Sequence, residues 1–247
     1  MSEEHDIDFI LRQWPYQPGV VASRLVTAAD GREVIQMRLD LGVLQMEVTG
    51  RPDGEHPGGV DNCLEWLGGL IRQQGDAFVL SQSHCLEIDR EFVQFYHRRI
   101  CYLALQQFVR AVADADHTLA LIDFVAAHSP DPQWTASHEQ YRPLVLFHRI
   151  QAASMQALQN SGAEAAIETI NNGLEQLRVL FAKFGAEEDF DRDELVNQLA
   201  VIKESLREEY HVGKTLGEQL ADAVASEEYE RAARLRDEIS RRTGRPA

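Results

Sequence analysis

Three polar residues in the stretch 50–59, which is rich in glycine and proline, could form a small binding site. Arg51, Asp53 and His56 carry the charges and ring nitrogens that would bind an anion or a side chain of a partner protein. The run 51–54, Arg-Pro-Asp-Gly, is typical of a tight turn with proline in second place. Because connections of this length are common, we favour the interpretation that the stretch joins a sheet to the helices after it.

Two histidines lie at matching places in two similar strings, YHRRI at 96–100 and FHRI at 147–150. Together with the arginines that follow them, His97 and His148 could converge on a metal ion or an acidic ligand in a shared groove. Two histidines far apart in sequence are weak evidence for a site. We favour the interpretation that they face a groove or pack by their ring edges.

The three cysteines, Cys63, Cys85 and Cys101, have no C-x-x-C spacing, so neither a disulfide framework nor a zinc site is predicted. His84 precedes Cys85, but neighbours in a chain do not generally face each other, so a catalytic dyad is not predicted. Motifs for nucleotide phosphates, for zinc proteases and for serine hydrolases are absent from the sequence. We therefore predict no catalytic residue, no cofactor and no metal, and a protein that is not an enzyme.

The composition describes an acidic globular protein. The chain has 247 residues, a formal net charge of −16, 44% hydrophobic residues and 26% charged residues. Proteins that neutralise phosphates need clustered Lys and Arg, so we expect a protein partner and no direct contact with nucleic acid. No run approaches the roughly 18 apolar residues that a membrane span needs, and the acidic start does not resemble a leader. We expect a cytoplasmic protein of bacterial type that does not contact a membrane.

An antiparallel β-meander is predicted near the N-terminus. Three runs with strand-like alternation, Val20–Thr27, Glu33–Leu39 and Val43–Thr49, are separated by short turns. In the second run Ile35, Met37 and Leu39 alternate with more polar neighbours, which predicts one buried face. So small a sheet must pack on helices or join the sheet of a second subunit.

Helical periodicity continues from residue 61 to about residue 185. Each of the two similar strings opens a predicted helix, and a turn and a second helix follow: Asp114–Asp116 then His117–Ala127, and Ser161-Gly162 then Ala163–Phe184. This arrangement resembles tetratricopeptide-type repeats. The resemblance implies a scaffold that binds peptides or proteins along a concave face.

The last segment, from Lys214 to Arg242, has the pattern of a hairpin of two helices. Apolar residues recur at helical spacing on both sides of Ser226, which we expect to cap the second helix. Four acid–base pairs at i, i+4 support that helix, namely Glu227–Arg231, Glu230–Arg234, Asp237–Arg241 and Glu238–Arg242. About thirty residues bury too little apolar area to be stable alone, so the hairpin needs a second surface.

The run EEYERAARLRDEI within this segment resembles the UVR motif of the excision-nuclease subunits UvrB and UvrC. The resemblance implies an antiparallel helical module that pairs with another protein or with a second copy of the chain in an oligomer. The residues that we expect at the interface are Leu220, Val224, Tyr229, Ala232, Ala233, Leu235, Arg236 and Ile239.

We predict an α+β fold that is mostly α, in four parts: a β-meander and loop at 1–60, a helical repeat-like domain at 61–185, a connecting helix at 186–213 and the hairpin at 214–247. The predicted function is non-enzymatic protein–protein interaction, as an adaptor. The resemblance leaves two alternatives, a regulator of nucleotide excision repair and a regulator of a protein-arginine kinase or Clp protease system. The kinase regulators carry paired C-x-x-C zinc sites, which this sequence lacks.

Overall fold

The computed structural model describes residues 7–75 and 78–243. It confirms the predicted class, since 69% of the structure is helical and a small antiparallel sheet lies near the N-terminus. The strands are β1 (Ser23–Thr27), β2 (Glu33–Leu39) and β3 (Gly42–Glu47). The helices are α1 (Asp8–Gln13), α2 (Cys63–Gln74), α3 (Gln82–Ala104), α4 (Phe108–His128), α5 (Pro132–Glu139), α6 (Arg142–Ser161), α7 (Ala163–Lys183), α8 (Glu194–Tyr210), α9 (Leu216–Ala225) and α10 (Tyr229–Thr243).

Two compact units make up the chain, Met1–Ala152 and Ala153–Ala247. The predicted division into four parts is not tested by this result and stays a prediction. None of the described helices combines the length and the apolar character that a membrane crossing requires.

The sheet of the first unit has the order β1-β2-β3, and Ile35 in β2 pairs with Leu25 and with Met46. The prediction of one buried face was wrong for β2, because Val34 and Arg38 on the second face are also buried, while Leu39 is exposed. On that second face, Arg38 Nε donates to the backbone oxygen of Trp14 at 2.7 Å. The segment after α1 therefore covers a face that the alternation had assigned to solvent.

The helices of the first unit pack mainly through α3 and α4. Their core holds Cys63, Leu67, Ile88, Leu121 and Val125. The turn predicted at Asp114–Asp116 was wrong: α4 runs through it, and the chain turns instead at Leu105–Gln107, where Gln106 has φ 57°. The acids are tolerated inside a helix because arginines neutralise them. Arg98 binds Asp114, and Arg149 Nε lies 2.5 Å from Asp116 Oδ1.

In the second unit α7 packs against α8. The predicted helix Ala163–Phe184 is confirmed within one residue, and its buried stripe includes Ile167, Ile170 and Leu177. A short 3-10 helix, Glu187–Arg192, leads to α8, which Asp193 caps by accepting from the backbone N–H groups of Leu195 and Val196. Helices α9 and α10 follow and pack against each other as the predicted hairpin.

Candidate protein-interaction site

The N-terminus of α9 is closed by a capping box. Thr215 Oγ1 accepts from the backbone N–H of Glu218, and Glu218 Oε2 accepts from the backbone N–H of Thr215 at 2.9 Å. These two bonds satisfy N–H groups that a helix start leaves without partners. The T-x-x-E pattern is visible in the sequence. It identifies the first residue of α9, which the spacing of apolar residues alone does not fix.

The turn between α9 and α10 is held by backbone bonds. Glu228 N donates to Ala223 O at 2.8 Å and Glu227 N donates to Val224 O at 3.1 Å, which is the Schellman arrangement at a helix end. Glu227 has φ 59°, in the left-handed region that favours glycine. The prediction that Ser226 caps the second helix was wrong, because Ser226 is the C-cap residue of α9 and α10 begins only at Tyr229.

Two alanines form the seam of the hairpin. Ala223 on α9 is 1% exposed and Ala232 on α10 is 8% exposed. Side chains this small let two helices approach closely. Four further apolar residues of the predicted interface are half-buried: Leu220, Ala233, Leu235 and Ile239.

Two large side chains at the turn end of the hairpin lie in solvent. Val224 is 53% exposed and Tyr229 is 68% exposed. Arg236, which also belongs to the predicted interface, is exposed and lies near Asp237, with 3.7 Å between Nη2 and Oδ1. The hairpin therefore has buried alanines between its helices and, at its turn, an exposed surface that carries the ring of Tyr229.

Salt bridges stabilise α10 on its polar side. Arg242 pairs with Glu238 at i, i+4 as predicted, with 2.9 Å between Nη2 and Oε1. Arg231 pairs with Glu228 instead of Glu227, with 2.9 Å between Nη1 and Oε2. Glu227 lies in the turn before the helix, so it does not share the helical spacing on which the prediction relied.

The open end of the hairpin is attached to α7 and α8. Glu168 Oε1 on α7 accepts from the backbone N–H of Gly217 at 2.9 Å. Glu218 Oε1 accepts from Arg207 Nη2 on α8 at 2.6 Å and from Asn171 Nδ2 on α7 at 3.3 Å. Burial tends to raise the pKa of Glu218, but its hydrogen bonds with Thr215, Asn171 and Arg207 outweigh burial and lower it. The first turn of α9 is therefore hydrogen-bonded to α7 and α8 within the same unit.

A groove of about 810 Å³ lies between α7 and this end of the hairpin. Glu164, Ala165 and Glu168 line one side, and Leu216 and Gly217 lie on the other. Arg242 on α10 reaches across towards Glu164, with 3.7 Å between Nη1 and Oε2. The contacts at this end are mostly polar, in contrast to the exposed Val224 and Tyr229 at the turn.

Comparison with known families identifies the segment. Residues 214–241 match the UVR family, the UvrB/uvrC motif. The UVR match covers the hairpin from before the α9 capping box to the last turn of α10, and it leaves the rest of the chain unassigned. No curated protein and no solved structure matches the chain. The resemblance of the middle of the chain to tetratricopeptide repeats is therefore unsupported and stays a prediction.

The loop predicted as a possible second site is tied to α3. The tight turn is confirmed, since Gly54 N donates to Arg51 O at 2.9 Å. Arg51 is buried, and its guanidinium lies 2.6 Å from Glu87 Oε2 and 3.2 Å from Asp53 Oδ2. His56 is exposed and lies 3.6 Å from Asp61. The structure thus brings Arg51 and Asp53 together, whereas His56 has a different acidic neighbour.

Helix α3 organises this loop through a row of polar side chains that sequence reasoning missed. Arg98 Nη1 donates to the backbone oxygens of Glu47 and Gly50, and Tyr102 Oη donates to that of Val48. Glu91 is fully buried and accepts from the backbone N–H at Cys63, where α2 begins, at 2.7 Å. The spacing of charges along α3 was the available signal, but such a pattern is more often a solvated helix face.

Among the residues that the structure describes, no group of three or more His, Cys, Asp or Glu side chains that could hold a metal ion is found, at His97 and His148 or elsewhere. The ring of Tyr96 lies 5.3 Å from the His97 ring and 6.4 Å from the His148 ring. His148 Nδ1 accepts from Arg99 Nε at 3.4 Å. Burial and the nearby Arg99 cation lower the pKa of His148 to about 4.

The cysteines are free thiols. Burial raises the pKa of Cys63 and of Cys101 to about 12. Burial also raises the pKa of Cys85, which is only partly buried. A raised pKa leaves little thiolate at neutral pH, so the environments of these cysteines are unlike those of nucleophilic cysteines.

Proposed function

We propose that this chain is a non-enzymatic interaction protein that binds another protein, or a second copy of itself, through the UVR hairpin. The observation that carries the proposal is the exposure of Val224 and Tyr229 beside a closed alanine seam. Tyrosine is enriched among residues that dominate binding energy, because it buries a large area and loses little side-chain freedom. In general, UVR motifs mediate protein–protein interaction.

The structure supports binding without a large rearrangement of the hairpin. Its two helices already pack through Ala223 and Ala232, and its open end is attached by Glu168 and Glu218. A surface that is ordered before binding loses less conformational entropy when the partner arrives. We propose that a helical partner packs across the turn end and covers Val224 and Tyr229, which the hairpin itself leaves open.

Capture from lysate of the source organism tests the proposal with the full-length chain. The test variant combines Val224→Glu with Tyr229→Glu, two changes at exposed positions that leave the seam intact. The matched control is Val201→Glu on α8, where the valine is 66% exposed. We expect the wild type and the control to capture the same protein, or to self-associate in sedimentation velocity. The double variant should capture at least tenfold less of that protein, or self-associate at least tenfold more weakly. Equal behaviour of all three would contradict the proposal.

Nucleotide excision repair is a second, narrower candidate for the pathway, because the matching family is described by UvrB and uvrC. In that case the chain would act through protein contacts, since a net charge of −16 opposes binding to DNA phosphates. We expect the captured protein to be an excision-repair subunit if this pathway is correct. A captured protein without any link to repair would leave the interaction proposal standing and remove this candidate.

A further inference from the structure

Arg99, on α3, is a buried cation with uncharged partners. Its side chain is among the most deeply buried in the chain, at 1% exposure. Nη1 donates to Thr118 Oγ1 on α4 at 2.9 Å, and Nε donates to His148 Nδ1 on α6 at 3.4 Å. The guanidinium carbon lies 5.9 Å from the centre of the Tyr96 ring. None of these three partners offers a negative charge at neutral pH.

The nearest acid is already occupied by the preceding residue. Asp114 Oδ2 accepts from Arg98 Nε at 2.9 Å, and Asp114 Oδ1 accepts from Arg98 Nη2 at 2.7 Å. Arg98 and Asp114 are each 4% exposed, so this is a buried bidentate pair. Two buried guanidinium groups therefore lie near one buried carboxylate, which pairs with Arg98. Over the ranges 7–75 and 78–243, no ion pair is formed by Arg99 itself.

Arg99 nevertheless stays charged. Burial lowers its pKa to about 10, while the charge of Asp114 acts in the opposite direction. At neutral pH the guanidinium is therefore protonated and carries one unbalanced positive charge. Burying a charge without a counterion costs free energy, and replacing such groups by apolar side chains of similar size is often stabilising. Violations of this kind are expected at functional sites, where stability is sacrificed for binding.

The surroundings of Arg99 fit an oxyanion. A guanidinium has five N–H donors in a planar fork that matches carboxylate and phosphate groups, and the contacts above use two of them. Tyr96 and His148, which lie against Arg99, are only partly buried, so this edge of the cluster reaches solvent although Arg99 itself is 1% exposed. His148 also presents a second ring nitrogen, because its Nδ1 is the atom that accepts from Arg99.

We propose that Arg99 is the central residue of a binding site for an oxyanion, a carboxylate or phosphate group, with Tyr96 and His148 at its edge. The bound anion supplies the missing negative charge and completes the buried cluster of Arg98, Arg99 and Asp114. This site belongs to the first unit and does not depend on the UVR hairpin, so the two proposals can fail separately.

Thermal unfolding and calorimetric titration of the full chain test this site. The probes are inorganic phosphate and succinate, each compared with sodium chloride at equal ionic strength, so that the two anion chemistries are distinguished. We expect one probe to raise the Tm of the wild type saturably and to bind measurably. Bound anion should also raise the pKa of His148 in an NMR titration by at least one unit. Effects no larger than those of chloride for both probes would overturn the proposal.

Two neighbouring arginines provide matched variants. Arg99→Met should abolish saturable binding and, in chloride alone, should have a Tm equal to or above that of the wild type. Arg98→Met should lower the Tm, because it leaves Asp114 buried without its partner. A low Tm or failure to fold for Arg99→Met would show that Arg99 supports the fold without an anion, which contradicts the proposal. Anion binding that persists in Arg99→Met would contradict it as well.

Discussion

Glu168 on α7 accepts a hydrogen bond from the backbone N–H of Gly217 on α9, with 2.9 Å between Oε1 and N. The bond places a carboxylate at the positive end of α9, where helix N–H groups point out of the helix. A Cβ at position 217 would lie 2.7 Å from both carboxylate oxygens of Glu168, so the end of the Glu168 side chain would have to move.

Gly217→Ala should detach Glu168 from the hairpin. Alanine is the better helix former by about 0.5–1 kcal/mol, so the change would stabilise α9 if nothing opposed it. The displaced carboxylate gives up a hydrogen bond to a charged acceptor, worth about 1.5–3 kcal/mol. We therefore expect the local opening free energy of α9, measured by amide hydrogen exchange, to fall by about 1 kcal/mol.

A double-mutant cycle separates the two effects. In a Glu168→Ala background, Gly217→Ala should stabilise α9, because only the helix propensity remains. Gly213→Ala is the control, since a Cβ at that position meets no atom within 4 Å. If Gly217→Ala changes the opening free energy of α9 in the same direction with and without Glu168, the contact does not attach the hairpin.

His148 should make the first unit less stable in mild acid. The folded pKa is about 4 and the ordinary value is 6.5, so between these values the unfolded chain binds a proton that the folded chain does not. Its contribution to stability is present above pH 6.5 and is lost as the pH falls towards 4. A difference of this size corresponds to about 3 kcal/mol.

Urea unfolding in chloride buffers from pH 7.5 to 4.5 measures this contribution. His148→Gln keeps an acceptor for Arg99 Nε and does not titrate. We expect the unfolding free energy of the wild type to fall more steeply with acid than that of the variant, and the two slopes to coincide above pH 7. Parallel curves across the whole range would show that His148 titrates normally in the folded chain.

The three thiols should react in a definite order with iodoacetamide at pH 8. The thiolate is the reactive form, and burial raises the pKa of Cys63 and of Cys101 to about 12. Cys85 is partly exposed and should be labelled first in the native chain, whereas all three should be labelled together in urea. Mass spectrometry of the digest gives the order in which the three thiols are labelled. If Cys63 is labelled as fast as Cys85, the packing of α2 against α3 is contradicted.

The sequence predicted the elements whose stability depends on local spacing. The stripes of α7 and of the hairpin, the meander and the tight turn after Arg51 all follow from residues near one another in the chain. The wrong turn at Asp114 has a different cause. An acid in a helix looks like a break until Arg98, sixteen positions earlier, is known to bind it.

Residues that act across elements were not predictable in the same way. Glu168 belongs to the polar face of α7, and only its contact with Gly217 gives it a role. Arg99 looks equivalent to Arg98 in the string YHRRI, yet the helix rotation between neighbours directs one to Asp114 and the other to Thr118 and His148. That difference decides which arginine has a counterion, and no periodicity reveals it.

The most direct test of the interaction surface is site-specific photo-crosslinking in cells of the source organism. A photoreactive phenylalanine analogue replaces Tyr229 in one full-length chain and Tyr210, a 49% exposed tyrosine on α8, in another. We expect a discrete crosslinked product, to another protein or to a second copy of the chain, from position 229 and not from position 210. No product from position 229, or the same products from both positions, would contradict it.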